Sequence, residues 1–118
     1  MKAELKELFS LDFDISEFKP NDPCYFGVWL SAMIGPASEV GSESFDILVC
    51  SPDWLKGTYP ESEPVWGRHM LIVGRFDHRK IKTTIQQYVQ GCSGDSWPEI
   101  GTQISRIGAW EFEDYVKR

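Results

Sequence analysis

The sequence lacks the features that mark secreted, disulfide-bonded and membrane-embedded proteins. Its three cysteines, Cys24, Cys50 and Cys92, are odd in number and widely spaced. This argues against a disulfide framework and favours a reducing compartment such as the cytoplasm. The first ten residues, MKAELKELFS, carry charges throughout and have no apolar core, so we predict no secretory signal. No window approaches the roughly 18 apolar residues of a membrane span, so we predict no contact with a membrane.

Signatures of catalysis and of metal or cofactor binding are also missing. The chain has only two histidines, and neither shares a predicted helix face with a cysteine or carboxylate at metal-ligand spacing. There is no CxxC pair, no GxSxG turn and no glycine-rich phosphate loop. On a strand, Glu111 and Glu113 would lie roughly 6–7 Å apart on one face, which overlaps glycosidase spacing. Nothing nearby predicts a sugar cleft, so a solvent-facing role is favoured. We predict a protein that is not an enzyme and binds no metal and no cofactor.

The chain instead carries an uneven acidic charge, with a net value of −6 at pH 7. Residues 37–63 contain one lysine against six acids, whereas residues 68–82 contain five basic residues against one acid. The acidic excess disfavours nucleic acid and favours a basic macromolecule as partner, although solubility alone would also explain it. The basic residues of the second segment are Arg68, Arg75, Arg79, Lys80 and Lys82. We predict that they pair with the acids of 37–63, the alternative being a nucleic-acid module.

Periodic patterns predict one α+β domain over residues 1–118. Apolar runs bounded by turn residues predict strands in CYFGVWLSAMIG, FDILVC and GRHMLIVGRF, the first two forming a hairpin. The first run is apolar on both faces, which is typical of a central strand. Helices are predicted to begin at the caps Ser51, Asp77 and Ser96, the last with Glu99 in a capping box. The expected architecture is an antiparallel sheet of about four or five strands with two main helices packed on one face.

The closing stretch WEFEDY interleaves aromatic and acidic residues. Trp110 and Phe112 alternate with Glu111 and Glu113, which is the pattern of a half-buried strand. We therefore predict that the two aromatic side chains pack in the core while the two glutamates face solvent. Tyr115 breaks the alternation, so the strand is predicted to bend or end there.

Five motifs together resemble the immunity protein 8 family of bacterial polymorphic toxin systems. In chain order they are MKAELKELFS, FGVWLSAMIGP, SFDILVCSPDWL, GRHMLIVGRFD and SRIGAWEFEDY, and the last is the most specific. They cover nearly the whole chain. The resemblance implies a non-enzymatic, cytoplasmic protein that binds and neutralises a cognate toxin domain. It also places Trp110, Glu111, Phe112 and Tyr115 in the family's closing motif, where a structural role is predicted.

An acidic stretch with two tryptophans is the predicted contact surface for such a partner. Its candidate residues are Glu39, Glu43, Asp53, Trp54, Glu61, Glu63 and Trp66. Charges at the rim would set the association rate, and a desolvated tryptophan would set the dissociation rate. Many toxin domains of these systems are nucleases, whose basic active-site clefts such a surface could occlude. Trp54 could equally be buried beneath its own short helix. The alternative function is a small interaction or structural domain that acts as a homodimer through an open sheet edge.

Overall fold

The computed structural model describes residues 1–112, which form a five-stranded sheet and three helices. The strands are β1 (Ala3–Phe9), β2 (Gly27–Pro36), β3 (Glu43–Cys50), β4 (Met70–Ile72) and β5 (Ala109–Trp110). The helices are α1 (Pro52–Thr58), α2 (His78–Gln90) and α3 (Trp97–Ile104). The predicted α+β class is therefore confirmed.

The sheet is mixed, with the order β1-β2-β3-β4 and with β5 also paired to β3. β1, β2 and β3 are antiparallel, and β2 and β3 form the predicted hairpin. β4 lies parallel to β3, with Leu48 opposite Met70, whereas β5 is antiparallel to β3, with Phe45 opposite Trp110. The prediction of a wholly antiparallel sheet was wrong at the β3–β4 pair. After β3 the chain crosses over through α1 and a loop, and such a crossover brings the next strand in parallel.

The inner face of the sheet supplies one side of the hydrophobic core. Its buried residues on β2 and β3 alternate along each strand: Leu30, Ala32, Ile34, Phe45, Ile47 and Val49. The helices contribute buried residues to the same core: Ile81, Ile85 and Val89 from α2, and Ile100 and Ile104 from α3. The helical spacing in α2 puts one apolar stripe against the sheet. The prediction of two main helices packed on one face is confirmed.

Two of the three predicted helix caps form. The side-chain oxygens of Ser51 and Asp77 accept backbone N–H bonds at the starts of α1 and α2, at 3.3 and 3.1 Å. Ser96 makes no such bond at the start of α3. Glu99 Oε2 instead accepts the backbone N–H of Asp95 at 2.7 Å. The predicted capping box was therefore wrong, because the glutamate bonds to the residue before the cap.

The outer face of the sheet is open over much of its area. Trp29 on β2 is 55% exposed, and its row across the sheet continues through Leu48, which is buried, to Met70, which is half-buried. α1 covers only the end of this face, where the indole of Trp54 lies against Gly27. β2 is a central strand of the sheet, as predicted, but its two apolar faces are not equally buried.

The contact between Gly27 and Trp54 gives a testable packing constraint. A Cβ atom at Gly27 would lie 2.1 Å from Cε2 of the indole, so Gly27→Ala must displace the Trp54 side chain. We expect this substitution to lower the free energy of unfolding by about 1–3 kcal/mol, measured by urea denaturation. The matched control is Gly74→Ala, since nothing lies within 4 Å of that added methyl group. Equal stabilities of the two variants would contradict the packing of α1 on β2.

Candidate partner-binding surface

A cleft of about 410 Å³ lies on the outer side of the sheet, between α1, the loop that follows it and β4. Its lining residues are Leu55, Lys56, Tyr59, Pro60, Glu61, Glu63, Val65, Gly67, Met70 and Ile72. Apolar side chains from the helix, the loop and the strand make most of this lining, and its two glutamates against one lysine, Lys56, give it a net negative charge. Mostly apolar concavities with a few polar groups are typical of binding sites. We call this concavity the acidic cleft.

Residues beside the acidic cleft present both charge and apolar area to solvent. Trp66, in the loop segment that lines the cleft, is 89% exposed, and Ile72 of β4 is 56% exposed. Asp53, in the first turn of α1, is also exposed. The fold therefore places four predicted contact residues, Asp53, Glu61, Glu63 and Trp66, on one continuous segment around α1 and its following loop.

The carboxylates of this segment have no ionic partner in the part of the chain that the structure describes. The salt bridge found among residues 1–112 joins Lys6 and Glu4 at 3.5 Å, far from the acidic cleft in sequence. The predicted pairing of the basic segment with these acids is absent for four of its members: Arg75, Arg79, Lys80 and Lys82. The negative charge of Asp53, Glu61 and Glu63 therefore remains available to an external cation.

The other two acidic candidates lie at the opposite end of the sheet. Glu43 begins β3, whereas Met70 and Ile72 of the acidic cleft lie opposite Leu48 and Cys50, about 16–23 Å further along that strand at the usual rise per residue. Glu39 is exposed in the turn between β2 and β3, where its carbonyl oxygen accepts a bond from Lys6 Nζ at 2.9 Å. The structure thus separates Glu39 and Glu43 from the acids of the cleft.

Glu43 joins three elements of the fold and is half-buried. Its Oε2 accepts the indole N–H of Trp110 at 2.9 Å, and its Oε1 accepts the indole N–H of Trp97. Trp110 also stacks on Phe45 and lies so close to Gly101 that a Cβ there would meet the ring at 2.6 Å. The expectation that Glu43 lies on an exposed acidic surface was therefore wrong. Its carboxylate is turned inward by two indole donors that are distant in sequence.

The two tryptophans of the predicted surface differ in their surroundings. Trp54 is half-buried, with its ring against Gly27 and edge-to-face with Tyr59 at a centroid distance of 6.2 Å. Its packing agrees with the alternative that the side chain lies beneath its own helix. Trp66 is left as the exposed indole of the segment.

The closing motif makes contacts within the fold as far as residue 112, where the described chain ends. Glu111 extends the pairing of β5 with β3, since its N–H bonds to the carbonyl of Ser44 and its Oε1 accepts the Ser44 N–H at 3.0 Å. Phe112 is 47% exposed and lies edge-to-face on Trp110, so its predicted burial in the core was wrong. It follows Glu111 in a turn of the chain. Tyr115 lies outside the described residues.

Burial and backbone contacts define the surroundings of Cys50, Cys92 and His69. Burial raises the pKa of the Cys50 and Cys92 thiols, which keeps them protonated and weakly nucleophilic. His69 Nε2 lies 3.0 Å from the carbonyl oxygen of Ser105, which is a backbone group and not a nucleophile. Among residues 1–112, no three His, Cys, Asp or Glu side chains are grouped to hold a metal ion. Glu113, the partner of Glu111 in the carboxylate pair, lies outside that range. No helix in the described chain has the length and apolar character to cross a bilayer.

Two exposed residues near the acidic cleft are not among the predicted contact residues. The exposure of Trp29 is hard to recognise from the sequence, because Trp29 lies in a run that is apolar at nearly every position. Ile72 lies within a predicted ten-residue strand, which likewise gives no sign of its exposure. The alternation of side chains along β2 predicts the exposure of Trp29. Successive residues of a strand point to opposite faces, and the neighbouring Leu30 is buried. Knowing that the two main helices cover one face only would have assigned Trp29 to the open side.

Comparison with known proteins gives one match. The family model described as immunity protein 8 matches residues 3–115, nearly the whole chain. No curated protein and no solved structure matches it. The matched range contains the five strands and three helices that residues 1–112 form, together with the acidic cleft. The resemblance carried by the sequence motifs is confirmed, and the chain belongs to the immunity protein 8 family.

Proposed function

We propose that this protein binds a cognate toxin domain in the cytoplasm and neutralises it, and that the acidic cleft makes the contact. Membership of an immunity protein family supports neutralisation of a toxin. The observation that supports the cleft is its unpaired charge beside apolar area. Glu61 and Glu63 line a mostly apolar concavity and have no ionic partner among the described residues.

The charge of the cleft favours a basic toxin surface. Complementary potentials steer encounter and can raise association rates well above those of neutral partners. Nucleases need basic clefts to hold phosphate, so the nucleic-acid cleft of a nuclease toxin is the surface that suits these acids best. Occlusion of that cleft would inhibit the enzyme without any chemistry by this protein. Trp66, 89% exposed, is the proposed anchor that becomes desolvated in the complex.

Co-expression with the toxin domain encoded immediately upstream of the gene tests this function. We expect cells that produce both proteins to survive, cells that produce the toxin alone to die, and the two proteins to copurify. An unrelated toxin domain from another system is the specificity control and should still kill.

Death of cells in which both proteins are shown to be present would contradict the proposal for that toxin. Survival without copurification would contradict the binding mechanism while leaving a protective role. Survival with copurification supports neutralisation by a stable complex and supplies the toxin for the experiments that follow.

A further inference from the structure

The outer edge of β4 has backbone groups that the sheet does not use. Leu48 donates its N–H to the carbonyl of His69 at 2.8 Å, and Val73 donates to the carbonyl of Cys50 at 2.9 Å. In a parallel pair every second residue bonds to the neighbouring strand, so the N–H and C=O groups of Met70 and Ile72 point away from β3. The strand order ends at β4, and no strand formed by residues 1–112 pairs with that edge.

The acidic cleft lies directly beside this edge. Met70 and Ile72 line this cleft with their side chains, and the backbone groups of the same two residues point away from β3. An extended chain laid along β4 would therefore meet unused hydrogen-bonding groups and an apolar cleft together. Every second side chain of such a segment points to the same face, so alternate residues would enter the cleft.

The charge at the cleft selects the kind of segment that fits there. Glu61 and Glu63 line the same cleft as Met70 and Ile72 of β4, and neither glutamate has an ionic partner among the described residues. A lysine or arginine side chain that enters the cleft along its apolar wall would place its charged end near these carboxylates. An acidic segment would instead be repelled.

We propose that β4 accepts an extended segment of the toxin domain as an added strand, with a lysine or arginine of that segment in the acidic cleft. This inference rests on the proposed function and specifies how the toxin is held. β4 has only three residues, so the added strand is short, and main-chain bonds at Met70 and Ile72 supply its register. The side chains in the cleft supply its specificity.

A proline substitution tests the main-chain bonds separately from the side-chain contacts. Ile72→Pro removes the outward N–H that the added strand needs, and its effect on the β3–β4 pairing is small because that N–H does not face β3. Ile72→Ala is the matched control, which loses the side chain and keeps the N–H. With the toxin domain recovered by copurification, we expect Ile72→Pro to bind at least about tenfold more weakly than Ile72→Ala. Circular dichroism and thermal unfolding establish that both variants are folded.

Amide hydrogen exchange in the wild-type complex gives an independent readout. We expect the amides of Met70 and Ile72 to exchange more slowly when the toxin domain is bound, with little change at Leu71, which already faces β3. Exchange that is unchanged at Met70 and Ile72, together with equal affinities of the two variants, would overturn strand addition while leaving neutralisation intact. A wild-type protein that does not bind the toxin domain at all would instead overturn the proposed function.

A second copy of this chain is the competing occupant of the edge. Sedimentation equilibrium of the free protein separates the two cases. A protein that stays monomeric at every concentration supports occupation of the edge by a toxin segment. A dimer that Ile72→Pro dissociates and Ile72→Ala preserves would overturn the proposal, because it would show that two copies of this chain pair through β4.

Discussion

Replacing Glu43 by alanine is expected to lower the free energy of unfolding by about 2–4 kcal/mol. The substitution removes the carboxylate that accepts both indole N–H groups, of Trp97 at the start of α3 and of Trp110 in β5. Each donor is part-buried, and hydrogen bonds to a charged acceptor contribute about 1.5–3 kcal/mol. Glu43→Gln should cost less, because the amide oxygen can still accept one of the two bonds. Urea denaturation followed by circular dichroism measures the difference.

The matched control for this prediction is Glu39→Ala in the adjacent turn. The Glu39 side chain is exposed, and the bond from Lys6 goes to its backbone carbonyl, which alanine keeps. We expect a change within about 0.5 kcal/mol at that position. Similar stabilities for Glu39→Ala and Glu43→Ala would show that the bonds to the indoles contribute nothing measurable.

The structural role of Glu43 changes how the binding surface must be tested. Reversal of its charge would remove an acid and disturb the fold at the same time, so lost affinity would not assign a contact. Charge reversal at Glu61 or Glu63 should leave the fold intact, because both are exposed residues of a loop. Their carboxylates accept no hydrogen bond in the part of the chain that is described. They are the suitable positions for charge reversal.

Local sequence patterns were sufficient for the elements whose pairing is local. The β2–β3 hairpin joins neighbouring apolar runs across a polar turn, and α2 shows its buried stripe as residues three or four apart. The caps Ser51 and Asp77 act on N–H groups three residues away. In each case the interacting groups lie within a short stretch, so propensity and periodicity contain the information.

The parallel placement and short length of β4 could not be predicted in this way. GRHMLIVGRF has the composition of a strand over ten residues, yet β4 spans the three residues Met70–Ile72. His69, just before β4, has a φ of 59°, a left-handed conformation that turns the chain immediately before the strand. The direction of β4 depends on the crossover through α1, which is a property of chain path and not of the strand sequence.

The candidate site was predicted in part, and the division has a physical reason. Charge and exposure are local properties of a polar loop, so Asp53, Glu61, Glu63 and Trp66 could be recognised as surface residues. The environment of Glu43 is set by indoles 54 and 67 residues further along the chain, and no local pattern reports them. The position of the cleft beside a free strand edge likewise depends on sheet order.

Reversing both charges at the cleft, with Glu61→Lys and Glu63→Lys, is expected to slow association with the toxin domain by about 10- to 100-fold at low salt. Rim charges act mainly on the association rate, because they shape the field that guides encounter. Dissociation should change less if Trp66 and the apolar cleft supply the lasting contacts. Surface plasmon resonance at 0.1 M and 1 M salt measures both rates. The difference from wild type should shrink at 1 M, where the Debye length falls from about 10 Å to about 3 Å.

A second double variant, Glu17→Lys with Glu39→Lys, separates the local field from the net charge. Both residues are exposed and neither lines the acidic cleft, and each double variant replaces two acids by two bases. The net charge of −6 therefore falls in magnitude equally in the two proteins. If only the cleft variant slows association, the steering charge is local to Glu61 and Glu63. Equal slowing would contradict the assignment of the cleft, and slowing by the control alone would move the toxin contact away from the cleft, to the surface at Glu17 or Glu39. A localised effect would also favour the strand-addition geometry, because an added segment along β4 passes next to these two carboxylates.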